Sequence, residues 1–270
     1  MTRTRPDPLP THSVAHRRSG WQRLSADPAH GPLPVLLIGL TALTGIVDAV
    51  SILALGRVFV ANMTGNVVFA GFALAGAPGF ALAASLAALA GFIAGAGAGG
   101  RLIRRLGEDR ARLLACGSGL QLILVAAALV LTVTSGSTLS PDNRDIVAAV
   151  LAVGTGMQNA IVRRLAVPDM TTTVLTMTLT GIAADIRAGK PSAAFARRLL
   201  SVATMLAGAV GGAELVLRVG VAAGLGLATA VLAVVSAAAA RTCHTPGAWR
   251  SSTQTVTTQK AGTNQKAGRP

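Results

Sequence analysis

The chain has 270 residues, of which 51% are hydrophobic and only 13% are charged. A soluble domain of this size carries about twice that charged fraction, so the composition excludes an ordinary soluble protein. The net charge of +14 would suit a nucleic-acid-binding protein, but the basic residues are concentrated in the tails and in a few loops. Such a distribution is typical of membrane-protein topology, so we expect the lipid bilayer as a partner and no nucleic acid.

Eight apolar segments follow one another along the chain, and several reach the roughly 20 residues that a helix needs to cross a bilayer. Because lipid offers no hydrogen-bond partner to an irregular backbone, we predict an all-α integral membrane protein. The segments are predicted at residues 35–56, 60–77, 79–100, 111–134, 145–162, 170–187, 195–217 and 219–240.

The two ends of the chain are polar. Residues 1–32 are basic and rich in proline, without the apolar stretch of a signal peptide, and residues 243–270 contain few hydrophobic side chains. Both are predicted to be disordered tails. They flank two membrane repeats, which we place at residues 33–134 and 135–242.

The repeats are indicated by four pairs of short motifs that occur in the same order in both halves. The first segment contains "LTGIVDA" and the fifth "GTGMQNA"; the second contains "ANMT" and the sixth "PDMT". The third ends in "AGAGAGGRLIRRLG" and the seventh in "AGAVGGAELVLRVG", and the fourth and eighth share "ACGSGL" and "AAGLGL". This order predicts an internal duplication.

Basic residues are distributed oppositely in the two halves. The loop after the third segment is rich in arginine, whereas the matching loop of the second half contains Arg218 alone. The loop after the second segment has no charge, whereas its counterpart contains Arg187, Lys190, Arg197 and Arg198. Because basic flanks face the cytoplasm, the pattern predicts two halves inserted in opposite orientations.

Opposite orientation requires an odd number of crossings in each half. One segment of each half must then fail to cross, and the polar second and sixth segments are the candidates. We therefore predict a bundle of two inverted repeats, with about six spans and two short broken or re-entrant helices. Both termini would lie in the cytoplasm.

Asp48 lies deep in the first segment, where a bare carboxylate costs about 3 kcal/mol on insertion scales. Such a group is usually paired, protonated or in contact with water. Its repeat mate is Asn159, with Gln158 beside it. One interpretation is a proton- or cation-coupling site; the other is a buried carboxylate satisfied by a hydroxyl or amide such as that of Thr44.

The polar second and sixth segments supply further candidates. Broken helices at corresponding places in two repeats are typical of a transporter binding site, whereas the same polar groups could instead hold neighbouring helices together. Asp169 could cap the sixth segment or belong to the site. The remaining candidates for solute or ion binding in these segments are Asn62, Thr64, Asn66, Thr171 and Thr172.

No pattern for catalysis or metal binding is present in the sequence. All four histidines lie outside the apolar segments, and there is no GxSxG motif or phosphate-binding loop. We therefore expect no enzyme activity, no metal and no cofactor. Gly91, Gly95 and Gly99 form a stripe of small residues on the third segment, which suits tight internal packing or, more weakly, a homodimer contact.

Two stretches resemble the YoaK-like bacterial membrane proteins, a family of uncharacterised function. They are "LTGIVDAVSILALGRVFVANMTGNVVFAGFALAG" and "GMQNAIVRRLAVPDMTTTVLTMTLT". The resemblance covers about residues 35–240 and implies a multi-span protein of the bacterial inner membrane. The residues that stand at its motif positions are Asp48, Asn62, Thr64, Asn66, Gln158, Asn159 and Thr171.

The sequence thus leads to two functional hypotheses. The first is a transporter or exporter of a small solute, coupled to protons through Asp48. The alternative is a membrane scaffold, regulator or assembly protein that transports nothing. A cavity at the bilayer midplane that water can enter would favour the first hypothesis.

Overall fold

A computed structural model describes residues 30–136, 139–168, 175–187 and 193–251. These parts of the chain form eight α-helices and one short 3₁₀ turn, Ala248–Arg250, and contain no β-strand. The helices are α1 Leu33–Ala54, α2 Met63–Leu74, α3 Leu82–Leu106, α4 Arg110–Thr134, α5 Pro141–Leu165, α6 Leu175–Arg187, α7 Ala193–Arg218 and α8 Val221–Thr242. Each lies on one of the eight predicted segments, so the all-α membrane bundle is confirmed.

Six of these helices, α1, α3, α4, α5, α7 and α8, are long and apolar enough to cross a membrane. Helix α2 has 12 residues and the described α6 has 13. At about 1.5 Å per residue, such helices cover roughly 20 Å, less than the hydrocarbon core of about 30 Å. The two short helices are the two polar segments that we predicted not to cross.

Helices α3 and α5 approach each other through glycines. A Cβ atom at Gly95 would overlap the carbonyl oxygen of Val153, and one at Gly156 would overlap the carbonyl oxygen of Phe92. Close backbone approach through small residues is a common way to pack helices in a membrane.

Helices α7 and α1 make the same contacts at the corresponding positions. A Cβ atom at Gly208 would overlap the carbonyl oxygen of Ala42, and one at Gly45 would overlap that of Met205. In the motif alignment, Gly208 corresponds to Gly95 and Gly45 to Gly156. The two halves therefore pack on each other through equivalent residues, as an internal repeat requires. The inverted orientation in a membrane stays a prediction.

The glycine stripe of α3 is used inside the chain. Gly91 and Gly95 lie against the backbone of Ala149 and Val153, and Gly99 lies against Met157. This face of α3 is covered by α5 and is not available to a second copy. The stripe thus serves the tight internal packing that we favoured, and this face cannot also form the homodimer contact that was the weaker alternative.

The contacts also fix the relative directions of the helices. Residue numbers along α3 and α5 rise together, so these two helices are parallel. In contrast, Thr44 of α1 meets Gln158, and the segment held by Asp48 meets Thr155, so α1 and α5 are antiparallel. It follows that α1 and α3 are antiparallel, so the chain reverses its direction between them, over a stretch that includes α2.

Gly95→Ala and Gly208→Ala should destabilise the protein to a similar extent, because each new methyl group is forced against a carbonyl oxygen of the facing helix. Overpacking of this kind costs about 1–3 kcal/mol. Thermal unfolding in detergent measures the effect. Gly97→Ala is the matched control, since a Cβ atom there would meet only the Arg101 side chain at 3.8 Å. Equal midpoints for all three variants would contradict the predicted close approach.

Candidate functional site

The candidate site is built around a non-helical segment, residues 55–62, that connects α1 to α2. Gly56 and Arg57 adopt left-handed φ angles of 86° and 59°, which turn the chain away from the axis of α1. Much of the segment is buried, including Leu55, Val58 and Val60. Its backbone groups need partners, because a buried N–H or C=O group without one is costly.

Asp48 supplies two of these partners. Its side chain is only 7% exposed, and Oδ1 accepts hydrogen bonds from the backbone N–H groups of Val60, at 3.2 Å, and Ala61, at 3.0 Å. The carboxylate thus folds the segment back along α1. Thr44, the side chain we considered as a partner, donates instead to the Leu40 carbonyl at 2.9 Å.

Asn66 of α2 supplies the next pair. The Phe59 N–H donates to Oδ1 of Asn66 at 2.8 Å, and Nδ2 of Asn66 donates to the Phe59 carbonyl at 2.6 Å. The Asn66 side chain is fully buried. The Asn66 amide therefore pairs with both backbone groups of Phe59, as a neighbouring strand would in a sheet. These bonds fix the start of α2 against residues 55–62.

Thr155 of α5 reaches the same segment from the second half of the chain. Its hydroxyl lies within hydrogen-bond distance of the Val60 carbonyl, to which it donates, and of the Leu151 carbonyl on its own helix. Thr155 was not among the predicted site residues. The signal was present, because Thr155 corresponds to Thr44 in the "LTGIVDA" and "GTGMQNA" pair.

A second buried polar group joins α1, α4 and α5. Gln158 donates through Nε2 to the Thr44 hydroxyl at 3.2 Å, and its Oε1 accepts from Nε2 of Gln121 at 2.7 Å. Beside the two amides, and also lined by Ser118, lies a cavity with about 10 Å³ available to the centre of a water molecule. This volume is close to the least that one ordered water needs, about 10 Å³.

The other predicted site residues lie apart from this network. Asn62 and Thr64 are exposed at the start of α2, and the Asn62 side chain makes no capping hydrogen bond. Asn159 is half-buried on α5. The predictions for Asp169, Thr171 and Thr172 lie outside the described residues. The structure therefore brings Asp48 and Asn66 to the same segment, where they bind the backbone of residues 59–61, and places Gln158 in the nearby amide pair.

Phenylalanine rings pack α2 against the residues that come before and after it in the chain. The ring of Phe59 stacks on that of Phe69 with centroids 5.7 Å apart, and Phe80 lies 5.1 Å from Phe69 and 5.3 Å from Phe72. Aromatic pairs at such distances stabilise packing beyond their buried area. Phe59 is thus fixed twice, through its backbone by Asn66 and through its ring by α2.

Comparison with known proteins identifies the family. The sequence profile described as "Protein of unknown function (DUF1275)" matches residues 36–238, which is more than half of the chain. The chain belongs to the DUF1275 family. The matched range includes Asp48, Asn66, Thr155 and Gln158, so the buried network lies inside the part of the chain that matches the family.

One curated relative agrees with this membership. The UPF0700 transmembrane protein YoaK of Bacillus subtilis (strain 168) is 33% identical over 155 residues, which cover 56% of this chain and 66% of YoaK. The resemblance to YoaK-like proteins is confirmed, and DUF1275 is a family without an assigned function. No solved structure matches the chain.

Asn66→Ala should destabilise the protein, because it leaves both backbone groups of Phe59 without a partner inside the bundle. An unsatisfied buried group costs about 1–3 kcal/mol, so we expect a loss of roughly 2 kcal/mol or more in the free energy of unfolding. Denaturant titration in detergent micelles, followed by circular dichroism, measures it. Thr64→Ala, at an exposed position two residues away, should change little. If both variants unfold alike, Asn66 does not hold the segment.

Proposed function

We propose that this protein carries a small solute across the bilayer and that Asp48 couples this movement to a proton. The observation that carries the proposal is a buried break between α1 and α2 whose backbone is held by an ionisable side chain. Interrupted helices of this kind form the central sites of secondary transporters, and ionisable groups inside membrane bundles are commonly functional.

The internal symmetry of packing supports the same class of function. Alternating access in many transporters is a rocking of one repeat against the other around a fixed central site. Here α1 packs on α7 and α3 on α5 through equivalent glycines, so each half contributes a helix to the other half's surface. Small residues at these contacts make two smooth, closely packed surfaces.

The hydrogen bonds of Asp48 suggest how a proton would act. Bonds to an ionised acceptor are about twice as strong as bonds between neutral groups. Protonation of Asp48 would therefore weaken its hold on the N–H groups of Val60 and Ala61. The protonation state of one side chain would in this way control the position of residues 55–62 and of α2, which follows directly.

A second candidate function is a membrane scaffold or regulatory protein that transports nothing. The observation that favours it is the tight satisfaction of the network, since Asn66 is fully buried and the adjacent cavity has room for about one water molecule. In that case Asp48 would serve only to fold the segment. The two functions differ in what removing the charge does, and this difference can be measured.

We also propose a location in the inner membrane of a bacterium, with the basic end of the bundle in the cytoplasm. The ends of α3, α5 and α8 and the start of α4 lie together at this end, as the contacts of Arg164 with Gly107 and of Arg250 with Asp109 require. Basic residues flanking spans favour the cytoplasmic side. The exposed arginines of this basic end include Arg101, Arg104, Arg105, Arg112, Arg163, Arg164 and Arg241.

Topology can be tested with single cysteines at Pro78, between α2 and α3, and at Ser192, between α6 and α7, after both native cysteines are replaced. We expect an impermeant thiol reagent to label position 78 in intact cells and position 192 only after permeabilisation. The reason is that position 192 belongs to the basic loop between α6 and α7, which should face the cytoplasm. Labelling of both positions from the same side would refute the inverted arrangement of the two halves.

Asp48→Asn should abolish coupling while the fold survives, because the amide oxygen can still accept from Val60 and Ala61. Proteoliposomes would be assayed with a pH-sensitive dye and a panel of small neutral and cationic solutes. We expect at least about a hundredfold loss of flux, the smallest contribution typical of a positioned proton-transfer group. Glu214→Gln is the matched control, because Glu214 is exposed and pairs with Arg218 on α7.

Asp48→Ala separates the structural role of the side chain from the role of its charge. It removes the charge and also the acceptor, so it should destabilise the protein more than Asp48→Asn, which keeps a neutral acceptor for Val60 and Ala61. If Asp48→Asn keeps wild-type flux of every solute that the parent protein moves, Asp48 is not the coupling group. If the parent moves no solute and no proton, the scaffold becomes the better proposal.

A further inference from the structure

The chain does not leave the bundle at the end of α8 but turns back across it. The predicted C-terminal tail begins at residue 243, and the structure places residues 243–251 against the basic end, with the 3₁₀ turn Ala248–Arg250 at their centre. Trp249 in this turn is only 8% exposed, and Ser251 forms an isolated antiparallel bridge with Asp109.

An ion pair joins this segment to the connection between α3 and α4. The guanidinium of Arg250 donates to both oxygens of Asp109 and also to the Cys243 carbonyl, at 2.9 Å. Asp109 in addition caps α4 by accepting from the N–H groups of Ala111 and Arg112, both at 3.1 Å. Burial acts to raise the pKa of the Asp109 carboxyl, but Arg250 and these N–H groups lower that pKa overall.

A buried arginine joins the segment to α5. Arg110 is 4% exposed and donates through Nη1 to the Trp249 carbonyl at 3.3 Å, and its Nη2 donates to the Leu165 carbonyl at the end of α5. A guanidinium carries several donors in a fixed plane, which suits it to hold two carbonyl groups at once. Arg110, at the start of α4, thus connects this helix to the end of α5 and to the 3₁₀ turn.

The Trp249 ring connects the segment to the start of α1. It lies over Gly31, two residues before α1, where a Cβ atom would come within 2.7 Å of the ring. Gly31 has a φ angle of 53°, a conformation that glycine adopts without strain. The ring fits because this position has no side chain, and residues 243–251 therefore touch the basic ends of α1, α4, α5 and α8.

The opposite ends of the same four helices are arranged differently. They surround an open cavity of about 240 Å³, lined by Leu53 and Ala54 of α1, Thr132 of α4, Arg144 of α5 and Val221 of α8. The two ends of the bundle are therefore unlike, because one is tied by the C-terminal segment and the other stands open.

We propose that residues 243–251 are a latch that holds the basic ends of α1, α4, α5 and α8 together. Release of the latch lets these four ends move apart, whereas in this structure they are held together. The use of that separation for solute passage rests on the proposed function, whereas the latch itself does not.

Cys243 reports on the latch without any transport assay. The full-length Cys116→Ala protein, in nanodiscs of phosphatidylethanolamine and phosphatidylglycerol, has Cys243 as its single thiol. We expect Trp249→Ala and Arg250→Ala each to raise the rate of maleimide labelling roughly tenfold, because lost contacts increase the locally open fraction. Gly31→Ala should act in the same direction by displacing the Trp249 ring.

A change in the pKa of Cys243 caused by the loss of the Arg250 charge cannot account for faster labelling of Arg250→Ala. Burial and Asp109 raise the pKa of the Cys243 thiol, whereas Arg250 lowers it. Removing Arg250 alone would therefore reduce the reactive thiolate and slow labelling, so faster labelling reports exposure. Arg241→Ala, which removes an exposed arginine two residues before Cys243, is the matched control and should label like the parent.

Labelling within about twofold of the parent in both Trp249→Ala and Arg250→Ala, with the helical circular dichroism retained, would overturn the latch, since the open fraction would not depend on its contacts. Equal acceleration by Arg241→Ala would also overturn it. Absence of solute flux in the parent protein would contradict the proposed function but would leave the labelling result unaffected.

Discussion

The architecture depends on one constraint, that non-helical backbone inside a membrane protein must find all its hydrogen-bond partners within the protein. Phe59, Val60 and Ala61 meet it with side chains from three helices: Asp48 from α1, Asn66 from α2 and Thr155 from α5. Asp48 and Asn66, which look misplaced in such an apolar sequence, are two of those partners. Their positions fix residues 59–61 and with them the start of α2.

The two halves share their packing but not their chemistry. Equivalent glycines bring α1 to α7 and α3 to α5, so the bundle has two matching contacts. At the position where the first half has a carboxylate, Asp48, the second has the neutral amide Asn159. A titration at this pair of equivalent positions would therefore act on the first half alone.

The sequence predicted the helices well because hydrophobic length is a local property, and the six spans and two short helices lie where it indicated. It also singled out Asp48 and Asn66, because such polar side chains are rare in apolar membrane segments. Their partners could not be predicted, since Phe59, Val60 and Ala61 contribute only backbone groups, which no residue type reveals. Trp249 and Arg250 were assigned to a polar tail because their contacts with Gly31 and Asp109 are distant in sequence.

The hydrogen bond between Thr155 and Val60 has a consequence for biogenesis. The two residues are 95 positions apart, so the Val60 carbonyl is synthesised and inserted long before its partner exists. Until α5 has been made, the Val60 carbonyl lacks the hydroxyl that binds it in the complete bundle. Residues 55–62 can therefore reach their final hydrogen bonding only after the second half has been made. A ribosome paused between α4 and α5 would leave a bundle in which the bond between Thr155 and Val60 cannot form.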